Sequence, residues 1–114
     1  GITLHGLAHI TGGGFPSKFG RTLRATGSGA HLETLFPAEP FLKQLCEWGD
    51  VPAEEAYRQW NMSNGFVVVV PEPEIHKAIA ALAAAGHRAQ LAGHVTADPR
   101  MRILTENETL TYTL

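Results

Sequence analysis

The feature that most constrains this sequence is a run of three glycines, residues 12–14, placed between an alternating apolar stretch and a proline. Residues 4–11 alternate with a period of two, which is typical of a strand with one buried face. Pro16 suits the first turn of a helix, where the N–H group that it lacks has no partner in any case. The sequence therefore predicts a strand, a glycine turn and a helix over about residues 16–25.

The glycine run is a candidate phosphate-binding loop. Because glycine has no Cβ, Gly12, Gly13 and Gly14 can adopt positive φ and bring backbone N–H groups close to a ligand. The N-terminus of the next helix, together with Lys18 and Arg21, favours a negative charge at the same place. The spacing matches neither a Walker loop nor a dinucleotide fingerprint. A plain turn or a close chain crossing is the alternative interpretation.

Length and composition limit the classes of protein that the chain can be. With 114 residues it is about one domain, residues 1–114. A formal net charge of −2 gives no long-range attraction to nucleic acid or acidic membranes, so we expect neither as a partner. The single cysteine, Cys46, excludes an internal disulfide and fits a reducing cytosol. We therefore predict a cytoplasmic protein in which Cys46 is a core residue of an amphipathic helix.

The rest of the chain predicts helices alternating with strands. Four consecutive valines in residues 66–70 predict a strand that is covered on both faces and therefore central. The predicted order is β-α-β-α-α-β-α-β-β, an α+β fold with helices packed on a mixed β-sheet, of a split β-α-β and partly ferredoxin-like type. The other predicted elements are a strand over residues 30–36, a helix from Pro40 to Gly49, a short helix capped by Asp50, a helix from Pro73 to Gly86, a strand over residues 88–95 with Leu91 and Val95 inward, and a hairpin of residues 101–104 and 109–114.

Two separated motifs resemble a known enzyme family. The first is His9-Ile10-Thr11-Gly12-Gly13-Gly14, and the second is Glu55-Ala56-Tyr57-Arg58-Gln59-Trp60-Asn61-Met62, which precedes the valine strand. In this order they resemble the C-terminal domain of phosphoribosylformylglycinamidine cyclo-ligase, also called aminoimidazole ribonucleotide synthetase. The resemblance covers about residues 6–104, and it implies the fold of the C-terminal domain of that superfamily.

The resemblance also implies an activity, an ATP-dependent ring closure in purine biosynthesis. In that family the amide oxygen of formylglycinamidine ribonucleotide is phosphorylated. The attack of a ring nitrogen then displaces the phosphorylated oxygen. An N-terminal domain supplies most of the ATP site and the dimer interface, while the C-terminal domain closes over the substrate. This sequence contains no such N-terminal domain, so we expect ATP and Mg²⁺ to bind outside this chain, with no cofactor in the isolated chain. The expected partners are a phosphoribosyl small molecule and a second copy of the protein in a homodimer.

Individual roles follow from the same resemblance. His9 would orient the substrate amide or exchange a proton with it, although a hydrogen-bonded structural histidine is the alternative. Arg21 would bind phosphate or form a structural ion pair. Asn61 would contact the substrate or cap the preceding helix. The resemblance thus implies one catalytic residue, His9, and these substrate-binding residues: Thr11, Gly12, Gly13, Gly14, Arg21 and Asn61.

The chain departs from the family pattern at two loops. Ser17-Lys18-Phe19-Gly20 stands where the family has an Asn-Ile-Pro-like segment, and Ser63-Asn64-Gly65 replaces a Gly-x-Gly. A diverged paralogue is therefore a further interpretation. Selenophosphate synthetase, thiamine-phosphate kinase and the hydrogenase-maturation dehydratase share the two-domain plan but lack this pair of motifs.

Two hypotheses about function remain open. In the first, the chain is the substrate-side part of a cyclo-ligase, inactive alone and cut from a longer protein, since Gly1 leads almost directly into a strand. In the second, it is a free-standing, non-catalytic binding or assembly module that keeps the fold. We predict no metal site, because His5, His9 and His31 have no tight ligand spacing.

Overall fold

The computed structural model describes residues 1–114 and contains six strands, four α-helices and one short 3₁₀ helix. The elements are β1 (Gly6–His9), α1 (Gly14–Arg24), β2 (Gly29–Leu32), α2 (Pro40–Trp48), α3 (Ala53–Gln59), β3 (Phe66–Val69), the 3₁₀ helix (Glu72–Glu74), α4 (Ile75–Ala84), β4 (Gly93–Thr96), β5 (Arg100–Leu104) and β6 (Thr109–Thr113). The α+β class is confirmed, but the predicted order β-α-β-α-α-β-α-β-β is wrong at its end, because three strands follow α4 instead of two. None of the helices has the length and apolar character needed to span a membrane.

The strands form two sheets. β1 and β3 pair with each other in an antiparallel two-stranded sheet. The other four strands lie in the order β4-β2-β5-β6, and this sheet is mixed because β2 runs parallel to β5 while the two outer pairs are antiparallel. The predicted C-terminal hairpin is confirmed as β5 and β6. The split β-α-β, ferredoxin-like detail stays a prediction.

Helix α1 joins the two sheets, since it contacts both β1 and β2 and also packs on α3. Its buried side chains Phe15, Phe19 and Leu23 recur every four residues and so lie on one face. They belong to one apolar core that includes Ala8 and Ile10 from the first strand segment. The position of α1 therefore fixes how β1 stands against the larger sheet.

The prediction that the valine strand is central is wrong. β3 pairs with β1 alone, Phe66 is 58% exposed, and residues 67–70 are only half-buried. A continuous apolar run indicates that both faces of a strand are apolar, but it does not say that the same chain covers them. Beside β3 lies a cleft of about 2160 Å³, lined mostly by apolar side chains and bordered also by β2, β4 and α4.

The predicted strand over residues 30–36 is shorter in the structure and ends at Leu32. The N–H groups of Glu33 and Thr34 both donate to the carbonyl of Ala92. Two residues opposite one carbonyl interrupt the alternating ladder, as in a β-bulge. The pairing of β2 therefore stops before residue 36.

The predicted strand over residues 88–95 is also partly wrong. Only Gly93–Thr96 forms a strand, and Leu91 and Val95 are exposed instead of inward. β4 is an edge strand of its sheet, so no further strand extends the pairing or covers these side chains.

The ends of the helices follow the predicted signals except at α3. Gly49 ends α2, and Gly86, with φ of 88°, follows α4. Asp50 does not cap α3, because Pro52 occupies the N-cap position and Asp50 lies in the preceding link with φ of 50°. Cys46 packs against the core from α2, and burial raises the pKa of its thiol.

Candidate phosphate-binding cleft

The glycine run forms a tight turn between β1 and α1. The Gly14 N–H donates to the Thr11 carbonyl at 2.9 Å, and Gly13 has φ of 94° and ψ of −11°. These values describe a type II turn with Gly13 at its third position. Gly14 also has a positive φ, 60°. The turn that the sequence offered as one interpretation is therefore present.

Each glycine of the run has a different environment. A Cβ on Gly14 would stand 1.9 Å from the carbonyl oxygen of Tyr57, so Gly14 allows α1 to cross close to α3. A Cβ on Gly12 would meet nothing within 4 Å, and Gly12 does not have a positive φ. The packing within this chain therefore accounts for Gly13 and Gly14 but not for Gly12.

Backbone N–H groups remain free at the start of α1. The amides of Gly12, Gly13 and Phe15 donate to no acceptor in the chain, as expected at a helix N-terminus. Gly12 is exposed and Gly13 half-buried, so their amides are open to a ligand, whereas Phe15 is fully buried. The helix dipole adds partial positive charge at the same place.

A shallow cleft of about 280 Å³ lies between β1 and α1. Helix α1 contributes Lys18, Arg21 and Thr22, which the i, i+3, i+4 spacing places on one helix face. The structure thus brings together three of the predicted site residues, His9, Thr11 and Arg21. The cleft is lined by Leu7, Ala8, His9, Thr11, Lys18, Arg21 and Thr22.

Lys18 and Arg21 supply the positive charge of the cleft. Neither side chain forms a salt bridge or a hydrogen bond within the chain. Arg24, three residues after Arg21, instead donates to the carbonyls of Pro16 and Ser17. The structural ion pair that was the alternative for Arg21 is not formed. Both cations are therefore available to an anion.

His9 ends β1 at one side of the cleft. Its ring stacks on Phe66, the cross-strand neighbour, with 5.8 Å between ring centroids and 25° between ring planes. The side chain is exposed and its ring nitrogens form no hydrogen bond within the chain. The stack orients the ring and leaves both nitrogens without a partner.

Asn61 lies outside the cleft. Its Oδ1 accepts a hydrogen bond from the Ser63 N–H at 3.0 Å, and its carbonyl accepts one from the Asn64 N–H at 3.0 Å. Such an Asx turn is a common local arrangement after a helix. Trp60, not Asn61, is the C-cap of α3. A local turn is therefore the observed role of Asn61.

Comparison with known proteins places the chain in a family. Residues 1–106 match the family model described as "AIR synthase related protein, C-terminal domain". The chain belongs to this family. The match includes both sequence motifs and every residue of the cleft, so the resemblance is confirmed.

Curated relatives of this AIR synthase C-terminal domain are named phosphoribosylformylglycinamidine cyclo-ligase. The protein of Cyanothece sp. is 40% identical over 80 residues, 69% of this chain and 22% of the relative. That of Magnetococcus marinus is 37% identical over 106 residues, 89% of this chain and 30% of the relative. That of Carboxydothermus hydrogenoformans is 31% identical over 105 residues, 92% of this chain and 30% of the relative. The chain thus spans less than a third of the length of these relatives.

Sequence reasoning missed part of the cleft of this AIR synthase C-terminal domain. Thr22 was not identified, and Lys18 was noted only as a nearby cation. The spacing of Lys18, Arg21 and Thr22 places them on one helix face, and this spacing could have identified Lys18 and Thr22 from the sequence. Gly6 was also missed; a Cβ there would stand 2.7 Å from Thr22 Cγ2, so Gly6 lets β1 approach α1 closely.

Proposed function

We propose that this domain is the substrate-side part of an ATP-dependent cyclo-ligase that converts formylglycinamidine ribonucleotide to aminoimidazole ribonucleotide in purine biosynthesis. The observation that carries the proposal is the cleft, which the unpaired cations Lys18 and Arg21 line. Gly12 and Gly13 do not line it, but their free amides directly follow Thr11, which does. Membership of the AIR synthase family and the names of the curated relatives support this reaction class.

The donors around the cleft fit a phosphate group. A phosphate monoester carries roughly −1.5 to −2 charges and three acceptor oxygens. Two cations of the cleft offer charge-assisted hydrogen bonds to such a group, and the hydroxyls of Thr11 and Thr22 are further donors. We propose that the free amides of Gly12 and Gly13, which follow Thr11 in the chain, also donate to it. Gly12 leaves open space for a close backbone approach. The cleft therefore accepts the phosphate of a phosphoribosyl substrate.

The same donors do not fit Mg²⁺. No carboxylate lines the cleft, and Mg²⁺ binds through oxygen ligands, usually carboxylates, phosphates and water. We place ATP and Mg²⁺, which would supply the phosphoryl group, outside the residues of this chain. What this chain contributes is binding and orientation of the substrate and one candidate for proton exchange, His9.

His9 is the residue that we propose for proton exchange with the substrate amide. Imidazole can accept or donate a proton near neutral pH, and both nitrogens of His9 lack a partner in the chain. The stack on Phe66 holds the ring plane beside the cleft. Arg21 and Lys18 would bind the phosphate while His9 faces the reacting end of the substrate.

We further propose a cytoplasmic protein that acts as a homodimer through residues outside this chain. Neither nucleic acid nor a membrane is part of the proposal. The net charge is −2, and two of the nine lysines and arginines, Lys18 and Arg21, line one small cleft. This distribution suits a small anionic ligand better than a polyanion.

A non-catalytic binding or assembly module is the second candidate function. The wide apolar cleft and the unpaired edge of β3 favour contact with another protein surface. A domain that closes over an ATP-binding partner domain needs such a surface as well. The two candidates therefore differ in catalysis and not in the need for a partner.

Phosphate binding can be tested by thermal unfolding of the 114-residue chain in inorganic phosphate or ribose 5-phosphate at constant ionic strength. At a ligand concentration of ten times Kd, we expect the free energy of unfolding to rise by about 1.4 kcal/mol. Arg21→Gln should lose most of this stabilisation, because it removes a fork of donors from the cleft.

The control is Arg88→Gln, which removes the same charge from an arginine that lies over the Phe36 ring, away from the cleft. It should keep the full response to phosphate. An equal response of both variants would contradict the phosphate site and leave only general ionic stabilisation.

A further inference from the structure

We propose that His31, Glu33 and His94 form a binding site for a divalent transition metal ion of the Zn²⁺ type. The site lies on the four-stranded sheet, on residues that the phosphate-binding cleft does not use. This proposal differs from the prediction of no metal site, which considered His31 together with His5 and His9 and not with His94.

The pairing of β2 with β4 brings the three side chains together. His31 and His94 are directly opposite each other in the antiparallel register. Glu33 is the residue directly after the end of β2, where its N–H donates to the Ala92 carbonyl, and this position brings its carboxylate beside the two histidines. β2 lies between β4 and β5 in its sheet, so the backbone of His31 is held by strands on both sides, while His94 lies on the edge strand β4.

The distances between the ligand atoms suit a shared ion. Glu33 Oε1 lies 3.8 Å from His31 Nδ1 and 3.6 Å from His94 Nδ1, and one ligand atom from each residue lies within 4.8 Å of the others. A tetrahedral ion at about 2.0–2.1 Å from each ligand sets neighbouring ligand atoms roughly 3.3–3.5 Å apart. Side-chain rotations that shorten these separations to this range would complete the geometry.

The three side chains are not used elsewhere in the chain. None of them forms a hydrogen bond, and both Nδ1···Oε1 separations exceed hydrogen-bond length. The two rings meet edge to face, with 5.8 Å between centroids and 66° between planes. Both imidazoles thus turn a nitrogen towards one carboxylate oxygen without being bonded to it.

The chemistry of the ligands selects the class of ion. Two imidazoles and one carboxylate form a known set for Zn²⁺ with an open fourth position, whereas Mg²⁺ and Ca²⁺ prefer oxygen ligands alone. The side chains of His31, Glu33 and His94 are 36%, 49% and 62% exposed. Solvent can therefore deliver the ion and supply a water as the fourth ligand.

The proposal is tested by titrating the untagged 114-residue chain with Zn²⁺ alone in a calorimeter, and with Co²⁺ while recording its visible absorption. We expect one ion per chain. Loss of a second-sphere partner of a metal ligand already costs 10–100-fold in affinity. His31→Ala, His94→Ala and Glu33→Gln should therefore each weaken binding by about tenfold or more.

The matched control is His87→Ala, which removes an exposed histidine outside the cluster and should bind Zn²⁺ as the unchanged chain does. Glu33→Gln keeps the shape of its side chain, so a loss of binding there cannot be assigned to misfolding. Zn²⁺ affinity that is equal in the unchanged chain and in His94→Ala and Glu33→Gln would overturn the proposal.

Discussion

The three glycines of residues 12–14 have three different environments in the structure. Gly13 provides the positive φ of the turn, and Gly14 lets the backbone of Tyr57 approach closely. Gly12 meets neither requirement, and its surroundings are open. In the proposed site, a phosphate group that approaches the backbone would require a residue without a side chain at position 12.

Substitution by alanine should separate these requirements. Gly14→Ala should lower the free energy of unfolding by about 2–4 kcal/mol, because its Cβ would overlap the Tyr57 carbonyl. Gly12→Ala should change it by less than about 0.5 kcal/mol but weaken phosphate binding. Urea unfolding with and without phosphate measures both effects.

Gly65→Ala is the control for this comparison, since Gly65 is exposed, has no positive φ and would place its Cβ in open space. It should alter neither stability nor phosphate binding. A Gly12→Ala chain that bound phosphate as well as Gly65→Ala would remove Gly12 from the proposed site.

At the scale of elements, strand β6 is tied to helix α3 by one aromatic side chain. The Tyr112 hydroxyl donates to the Glu54 carbonyl at 2.7 Å, and the Arg58 guanidinium lies 4.8 Å from the centre of its ring. Arg58 also pairs with the Glu54 carboxylate at 2.7 Å. β6 lies beyond the 106 residues that match the family model, yet Leu110 and Tyr112 are core residues. The tail therefore completes the fold of this chain.

Removing the Tyr112 hydroxyl should weaken this contact in a pH-dependent way. Burial, followed by the nearby Glu54 charge, raises the pKa of Tyr112, so the folded state favours the neutral phenol. An unfolded tyrosine ionises near pH 10. The stabilisation is therefore complete below about pH 10 and is lost as pH rises further. Tyr112→Phe should cost about 1 kcal/mol at pH 8 and flatten the loss of stability above pH 10.

Tyr57→Phe provides the comparison, because the Tyr57 hydroxyl forms no hydrogen bond within the chain. Burial also raises the pKa of Tyr57. This variant should therefore reduce the loss of stability above pH 10 while leaving the free energy of unfolding near pH 8 unchanged. Urea denaturation at a series of pH values measures both variants. The Tyr112 assignment fails if the two variants are equally stable at pH 8.

At the scale of the whole molecule, the chain carries the proposed phosphate-binding cleft but leaves much apolar surface uncovered. Leu4, Leu7 and Phe66 are each more than half exposed, and β3 has one unpaired edge. The chain spans less than a third of its curated relatives. Catalysis by the proposed route therefore needs protein surface that these residues do not contain.

We expect the 114-residue chain alone to form no aminoimidazole ribonucleotide from substrate, ATP and Mg²⁺. Combined with the remaining part of a cyclo-ligase relative, it should restore ring closure. His9→Ala should then lower kcat by about 100-fold, since proton transfer by a positioned side chain contributes at least that much. Product formation measured over time checks both statements.

Phe41→Ala on α2 is the control, because Phe41 is 59% exposed and lies outside the cleft. It should leave kcat unchanged. Failure of every combination to form product, with phosphate binding intact, would favour the non-catalytic module instead.

Local chemistry explains what could be predicted from residues alone. The helices predicted over residues 16–25 and from Pro73 to Gly86, the glycines after α2 and α4 and the final hairpin depend on neighbouring residues. The structure has α1, α4 and the β5–β6 hairpin in these segments. His9, Thr11 and Arg21 were named from a motif and a nearby cation, and the fold brings them to one cleft.

Contacts between distant segments decided the rest. Whether the valine strand is central depends on which strands pair with it, and whether His31 meets His94 depends on the register of β2 with β4. Thr22 joins the cleft only because α1 packs on Gly6 of β1. The pattern of apolar and polar residues along the sequence indicates which faces of a helix or strand are apolar. Which element covers each face depends on packing between segments that are distant in the chain.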